Sequence, residues 1–280
     1  MSAPHLRPLE RIRQLPVYVL LLIYAVVIAY PLLWMVVSSF KSSTEIFADP
    51  WGLPSTWLVQ NYAQAWDKGI SDYFLNSVFV TLASTIGTVV IAALCAYGMV
   101  RMSSRLADVV LVLAMGGLVV APQVSLIPLY RLLDAMGLLN TSWAMILPYV
   151  AFRLPMAILL IRSVFLGIPR ELVDAATIDG CRSIGVLRHV YLPLSKSVLT
   201  TASVLTGYFA WNEFLFAIVF IDQDSLRTIP AGLMSFRDAL STEWGVLLAG
   251  LTIAALPIVV VFILLQRYFV AGVAAGSVKG

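Results

Sequence analysis

Charged residues are scarce in this sequence. They make up 12% of its 280 residues, whereas hydrophobic residues make up 60%. A soluble domain carries roughly 25% charged residues. The shortage of charge, together with a mean hydropathy of +0.93, excludes an ordinary soluble domain and predicts an integral membrane protein.

Residue patterns that would give the chain a chemistry of its own are also missing. No G-x-x-x-x-G-K-[ST] segment occurs that would bind nucleotide phosphates. The only histidines, His5 and His189, do not form a plausible zinc site. Cys95 and Cys181 are expected at different levels of the protein, so we expect no disulfide. The sequence therefore predicts passage of a solute rather than catalysis, and no cofactor bound by this chain.

Six apolar runs are each long enough to cross a bilayer as a helix, which takes about 20 residues. They predict an all-α membrane protein with one transmembrane domain over residues 1–280. The spans are expected at about residues 16–38, 73–100, 108–131, 143–165, 197–221 and 244–267. Twelve of the 18 lysines and arginines then fall on the side of the N-terminus, which predicts that both termini are cytoplasmic. A signal peptide is the alternative for the first run, but this run is long and no A-x-A site follows it.

The first outer loop, residues 41–72, is rich in aromatic residues, among them Trp57, Tyr62 and Trp66. These side chains form either an aromatic belt at the membrane interface or a docking surface for an external partner. Both interpretations stay open at this point.

A charged, helix-patterned segment, residues 168–193, separates the fourth and fifth runs and is predicted to lie outside the hydrocarbon. Glu171 lies near the start of its first helix, where a carboxylate is stabilised by roughly 0.3–1 kcal/mol. Gly180 is expected to end that helix. One flat helical face is predicted for Leu172, Ala175, Ala176 and Asp179, and an apolar stripe on a second short helix for Ile184, Leu187 and Tyr191. The segment is too poor in basic residues to bind lipid and is expected to enter a groove of another protein.

The segment I-P-R-E-L-V-D-A-A-T-I-D-G, followed by Y-L-P, resembles the cytoplasmic signature loop of ABC-importer permeases. This loop is written E-A-A, three residues, G and a distal L-P. The W-N-E-F-L run from Trp211, the Q-N-Y run from Gln60 and the Q-R…G…G-S-V-K-G tail resemble the same family. The chain is similar to the smaller permease of maltose-type importers in the carbohydrate-uptake branch. Asp174 departs from the pattern, because it replaces the glutamate of E-A-A with a shorter carboxylate.

This resemblance implies that the chain works together with other proteins in a bacterial or archaeal plasma (inner) membrane. The partners would be a second, different permease, a cytoplasmic ATPase dimer that binds ATP and Mg, and an external substrate-binding protein or lipoprotein. The solute would be a sugar or a sugar-like compound, and no nucleic acid is expected. A glycerophospho-compound or an amino sugar remains an alternative solute. An ATPase-independent carrier or an intramembrane enzyme is a further alternative, although we find no inverted repeat or reactive dyad.

The resemblance also implies where this chain meets the ATPase. Segment 168–193 would be the coupling loop, in contact through Glu171, Asp174, Ala175, Ala176, Asp179, Gly180, Ile184, Leu187 and Pro193. The C-terminal tail, expected to be flexible, would make a regulatory contact through Gly276, Lys279 and Gly280.

Polar residues inside the spans are candidates for a solute path or gate, because they are costly in a bilayer. They are Gln123, Arg153, Trp211, Asn212 and Glu213. The alternative is polar contact between helices, and the simplest form of it is an ion pair between Arg153 and Glu213.

Overall fold

The structure, a computed structural model, describes residues 8–102, 105–236 and 242–277, and these are helical with short connections. The α-helices, in chain order, are α1 (Pro8–Ser38), α2 (Ser43–Ala48), α3 (Gln60–Ala65), α4 (Ser71–Met102), α5 (Arg105–Gly117), α6 (Leu126–Ala135), α7 (Trp143–Phe165), α8 (Arg170–Ile178), α9 (Ser183–Val186), α10 (Leu192–Leu194), α11 (Lys196–Asn212), α12 (Leu215–Phe220), α13 (Ile229–Gly232) and α14 (Trp244–Ser277). Within the described ranges, the all-α prediction is confirmed.

Four helical segments of the described chain are long and apolar enough to cross a membrane. They are Pro16–Ser38, Gln60–Arg101, Trp143–Phe165 and Trp244–Leu264. These segments coincide with the first, second, fourth and sixth predicted spans. Helices cross bilayers because every interior backbone N–H and C=O group is paired within the segment.

The third predicted span is not one helix. A single helix over residues 108–131 was expected, but α5 ends at Gly117 and turns precede α6. Pro122 lies in these turns and cannot donate a helical hydrogen bond. Gly117 lies close to α7, since a Cβ added there would be 3.0 Å from Cγ of Pro155. The break therefore occurs where α5 packs closely on its neighbour.

The fifth predicted span, residues 197–221, is also broken. Helix α11 ends at Asn212, Glu213 is extended with φ −70° and ψ 125°, and α12 begins at Leu215. Neither proline nor glycine occurs at this point, so the sequence carries no conventional signal for the break. The hydrogen bonds of Glu213, described below, account for it.

The chain divides into two compact units. The first comprises residues 1–68 and 236–253, and the second comprises residues 69–235 and 254–280. In the first unit, Asn61 Nδ2 donates to the carbonyls of Ser39, at 2.8 Å, and Lys41, at 3.0 Å. The buried ammonium group of Lys41 donates to the carbonyl of Asp49 at 2.8 Å. These bonds fix the chain just after α1.

Aromatic residues of the loop that follows α1 lie against the end of that helix. The Trp34 indole donates to the carbonyl of Pro50 at 2.7 Å, and Trp51 stacks on Tyr30 at 5.9 Å. Trp51 is nevertheless 73% exposed. Contact with a membrane-length helix favours the interfacial-belt interpretation of this loop.

The second unit is built on α4, which packs against α7 and α11. One buried cluster includes Ala92 and Ala96 of α4 together with Ile161 of α7 and residues of segment 168–193. The other surrounds Tyr149 of α7 and Phe216 of α12. Small residues such as the two alanines let membrane helices approach closely. Each cluster supports one of the candidate sites.

Candidate functional site

Helix α8 of segment 168–193 ends at Gly180, as predicted. Gly180 has φ +86°, a left-handed conformation that side chains other than glycine rarely adopt. Its N–H donates to the carbonyl of Thr177 at 3.0 Å, and the N–H of Cys181 donates to the carbonyl of Ala176 at 2.9 Å. This pair of bonds is a Schellman motif, which turns the chain sharply after α8.

Segment 168–193 is held tightly to the ends of α4 and α7. The hydroxyl of Tyr97 donates to the carbonyl of Ser183 at 2.7 Å. The ring of Tyr191 packs edge-on against Tyr97, at 5.1 Å, and Phe165, at 5.0 Å. Burial raises the pKa of the Tyr191 phenol, which therefore stays neutral in this cluster. A displacement of the segment would accordingly be transmitted to two membrane-length helices.

Most of the residues predicted to contact a partner are exposed on this segment. The exposed ones are Glu171, Asp174, Ala175, Asp179, Gly180, Ile184 and Pro193. Ala176 is half-buried and packs against the underlying cluster. The prediction for Leu187 is wrong, because its side chain is 6% exposed and belongs to that cluster. Residues Leu187–Tyr191 form a π-helical turn, which is wider than an α-helical turn and rotates Leu187 and Tyr191 away from Ile184.

One exposed apolar residue of this segment was not predicted. Ile178, the last residue of α8, is 86% exposed, and Ile184 across the turn is 77% exposed. The two isoleucines flank Gly180 in sequence. Isolated exposed apolar residues are common, so the sequence alone offered no reason to select Ile178. The reason to select Ile178 is its near-complete exposure in an anchored turn.

Glu213 explains the break between α11 and α12. Its carboxyl oxygens accept the N–H of Phe216, at 3.0 Å and 3.1 Å, and that of Ala217, at 3.3 Å. The hydroxyl of Tyr149 on α7 donates to the same group at 2.7 Å. The first N–H groups of a helix have no intrahelical partner, so the carboxyl group of Glu213 provides the hydrogen-bond acceptors that the backbone of α12 lacks.

The side chain of Arg153, on α7, is half-buried. The groups that contact it do not include Glu213. Its guanidinium carbon lies 4.8 Å from the centre of the Phe209 ring. Its Nη2 donates to the carbonyl of Leu205 at 3.5 Å, and its buried Nε has no partner among the described residues. An ion pair between Arg153 and Glu213, one of the alternatives that the sequence left open, is not among the salt bridges of the described residues.

Three of the predicted path residues nevertheless meet at one cavity of about 480 Å³, which we call the Arg153 cavity. It is lined by Arg153, Leu205, Tyr208, Phe209, Asn212, Glu213, Phe214 and Leu215. Asn212 is exposed there, and its Nδ2 donates to the carbonyl of Tyr208 at 2.7 Å. Cation, amide, carboxyl group and aromatic rings are thus combined at one place between α7 and the break that separates α11 from α12.

The two other predicted path residues lie elsewhere. Trp211 is buried, donates to the carbonyl of Ala254 at 3.1 Å and lines a separate apolar cavity of about 700 Å³. Gln123 is exposed in the turns between α5 and α6 and lines neither of these cavities. Trp211 is adjacent to Asn212 in sequence but does not line the Arg153 cavity, because successive helical residues face different directions.

The predicted flexible tail is helical where the structure describes it. Helix α14 runs to Ser277, so Gly276 has a helical backbone. Lys279 and Gly280 lie outside the described residues. No cluster of three or more histidine, cysteine, aspartate or glutamate side chains suited to a metal ion occurs in the part of the chain searched.

Comparison with known proteins assigns the chain to a family. The family described as binding-protein-dependent transport system inner membrane component matches residues 5–275. The probable ABC transporter permease protein YurM of Bacillus subtilis (strain 168) is 56% identical over 264 residues, which cover 94% of this chain and 88% of that protein.

Two further relatives have names that state a solute. The sulfoquinovosyl glycerol transport system permease protein SmoH of Agrobacterium fabrum is 34% identical, over 90% of this chain and 89% of that protein. The trehalose/maltose transport system permease protein MalG of Thermococcus litoralis is 33% identical, over 92% of this chain and 94% of that protein.

The fold is shared with a solved structure. A chain from the crystal structure of a bacterial ABC transporter involved in the import of the acidic polysaccharide alginate matches with a TM-score of 0.81. The match covers 95% of this chain and 100% of that chain, at 22% sequence identity. At this identity the likeness concerns the fold alone.

Proposed function

Because the chain belongs to the family of binding-protein-dependent transport system inner membrane components, we propose that it lines the path by which an ATP-driven importer takes up a sugar or sugar-like solute. The chain is a multi-pass permease of the inner membrane and a component of a binding-protein-dependent ABC importer. As a permease component, it is not itself the catalyst of ATP hydrolysis.

The names of the relatives support a saccharide solute. Besides the two already described, they include permeases for diacetylchitobiose and arabinooligosaccharides. The observation that supports a path through this chain is the Arg153 cavity, which combines polar groups and aromatic rings from α7, α11 and α12. Ligand pockets commonly combine apolar walls with a few polar groups that orient the ligand.

In this proposal, the exposed surface of segment 168–193 enters a groove of the cytoplasmic ATPase, which binds ATP and Mg. Exposed Ile178 and Ile184 would supply apolar contact, and Asp174 and Asp179 would supply charge. The anchoring of the segment through Tyr97 and Tyr191 supports this role. Packed helices move as rigid bodies, so closure of the ATPase would shift α4 and α7 together.

A second permease is proposed to cover the Arg153 cavity. Tyr208 and Asn212 are exposed at its wall, and Arg153 is only half-buried. An arginine facing lipid at mid-membrane costs at least ~2.5–3.5 kcal/mol on insertion scales. A partner permease would exclude lipid from this face, so the two chains would share the solute path.

Six spans remain the proposed topology, with both termini cytoplasmic. The third span would consist of α5 and α6 and the fifth of α11 and α12. Irregular backbone is tolerated at membrane depth where it is buried in protein or lines a water-filled cavity. The break at Glu213, next to the Arg153 cavity, fits this rule.

The function is tested with this chain, its partner permease and the ATPase purified together and placed in liposomes. We expect ATP hydrolysis to be stimulated several-fold by the binding protein carrying its saccharide, and labelled saccharide to enter only with ATP. Uptake that continued without ATP or without the binding protein would overturn the proposal in favour of an independent carrier.

We further propose that the C-terminal residues Gly276, Lys279 and Gly280 contact the ATPase. Helix α14 extends about ten residues past the predicted end of the span at residue 267, or roughly 15 Å. Deletion of residues 274–280 should reduce the amount of ATPase that co-purifies with the permease, because it shortens this extension. Lys279→Ala is the matched variant that removes the charge and keeps the length. Wild-type co-purification and uptake after the deletion would show that the tail is merely solvated.

A further inference from the structure

Arg153 has hydrogen-bonding capacity that the chain leaves unused. A guanidinium group carries five N–H donors and no acceptor. Here the buried Nε has no partner among the described residues, and the single hydrogen bond, from Nη2 to Leu205, is long at 3.5 Å. Buried donors are nearly always paired, and an unpaired one requires an explanation such as a bound ligand or water.

The neighbouring carboxyl group does not supply the missing acceptor. Both oxygens of Glu213 accept bonds from Tyr149, Phe216 or Ala217. Glu213 is the one acidic residue among the eight that line the Arg153 cavity, and Arg153 is the one basic residue. The carboxyl group is directed toward the start of α12, whereas the cation of Arg153 adjoins the cavity. With one acidic and one basic side chain, the lining of the cavity carries no excess of negative groups.

The remaining wall suits a sugar ring. Tyr208, Phe209 and Phe214 present aromatic surface, and Asn212 brings an amide group. The volume of about 480 Å³ falls within the roughly 300–1,000 Å³ typical of small-molecule sites. The cavity can thus hold a small saccharide beside the guanidinium group of Arg153.

We propose that the Arg153 cavity selects an anionic saccharide, whose carboxylate, phosphate or sulfonate group is bound by the guanidinium group of Arg153. This inference rests on the proposed function and names the chemical class of its solute. Arginine binds oxyanions through parallel N–H···O bonds, which are stronger than bonds to neutral hydroxyls. A positively charged amino sugar would be repelled by the same group in a region of low dielectric constant. Of the solutes that remained open, an amino sugar with a free, protonated amino group is therefore disfavoured in this cavity.

The charge preference is measured without knowing the natural solute. In the purified importer complex, with Cys95→Ala and Cys181→Ser, a reporter thiol is introduced by Asn212→Cys. Its rate of reaction is compared for two methanethiosulfonate reagents of similar size, one with a sulfonate group and one with a trimethylammonium group. Charged clefts change association rates by about 10–10³-fold. We expect the anionic-to-cationic rate ratio to fall about 10-fold or more on Arg153→Gln and to be partly kept by Arg153→Lys.

The matched control places the reporter outside the cavity. With Leu53→Cys, a position that is 73% exposed in the loop between α2 and α3, the rate ratio should not change on Arg153→Gln. A ratio at position 212 that is independent of residue 153 would overturn the inference, and so would a thiol there that reacts with neither reagent.

Protection of the reporter thiol tests the saccharide directly. Glucuronate, glucose and glucosamine share one ring and differ in charge. Glucuronate should slow modification at position 212 at concentrations where glucose and glucosamine do not, and Arg153→Gln should remove this difference. Equal protection by all three, or by none, would overturn the inference.

Failure of the proposed charge preference can be distinguished from failure of the proposed function. Stimulation of ATP hydrolysis by the binding protein is measured on the same complex, without the reporter substitution. If stimulation is normal but no charge preference appears, only the solute class is wrong. If the charge preference appears but ATP hydrolysis does not respond to the binding protein, the proposed function is wrong.

Discussion

Gly180→Val is expected to abolish ATP-driven uptake while the complex still assembles in the membrane. Gly180 has φ +86°, and a β-branched side chain is strongly disfavoured in that conformation. No atom lies within 4 Å of a Cβ added there, so the effect comes from backbone strain and not from a clash within the chain. Relief of the strain would unwind the turn between Ile178 and Ile184 and displace both from the ATPase surface. The measurement is binding-protein-stimulated ATP hydrolysis, which should fall at least about 10-fold.

Two control variants distinguish backbone strain at position 180 from other causes of lost activity. Gly180→Asn should retain much of the activity, because asparagine tolerates positive φ. Gly137→Val creates the same strain at φ +66°, after α6 and outside segment 168–193, and should leave the coupling intact. If Gly180→Val shows normal stimulation, the turn is not a coupling element. If Gly180→Asn is as inactive as Gly180→Val, a side chain at position 180 collides with the partner instead.

Glu213→Ala is expected to destabilise the permease by about 3–5 kcal/mol. The change leaves two N–H groups of α12 and the hydroxyl of Tyr149 without their acceptor, and unpaired buried groups cost about 1–3 kcal/mol each. Tyr149→Phe removes only one of these bonds and should cost about 1 kcal/mol. A thermal melt of the purified complex measures both effects.

A double substitution tests the absence of an ion pair. Because Arg153 and Glu213 have different partners, Arg153→Ala should not rescue Glu213→Ala, and the two losses should add to within about 0.5 kcal/mol. If the double variant recovers more than about 1 kcal/mol relative to the sum, the two charges do stabilise each other. In that case the cation of Arg153 would not be available to a solute.

The features that depend on composition and local pattern could be predicted from the sequence. Four membrane-length helices and the end of α8 at Gly180 follow from hydrophobic run length and glycine chemistry, which act over one segment of chain. The flat face of α8 was predicted from the spacing of 3.6 residues per turn, and of its members Leu172, Ala175 and Asp179 are exposed whereas Ala176 is half-buried.

The breaks in the third and fifth spans depend on tertiary contact. Glu213 interrupts the fifth run at a point without proline or glycine because α7 brings Tyr149 to its carboxyl group, and no pattern within the run encodes that meeting. Leu187 was misplaced because a π-helical turn, packed onto Tyr97 and Phe165, rotates the residues that follow Ile184. Arg153 and Glu213 contact other groups instead of each other, and the sequence left this open because charge alone does not determine which helix face each group occupies.

The sequence by itself determined that this chain is a helical membrane permease, because hydropathy and motif spacing are local properties. Only the tertiary structure decided that Arg153, Asn212 and Glu213 share a cavity while Trp211 lines another. It also decided that the carboxyl group of Glu213 is used by α12 and Tyr149. The physical reason is that a hydrogen bond between distant segments depends on how helices pack, and packing is a property of the whole fold.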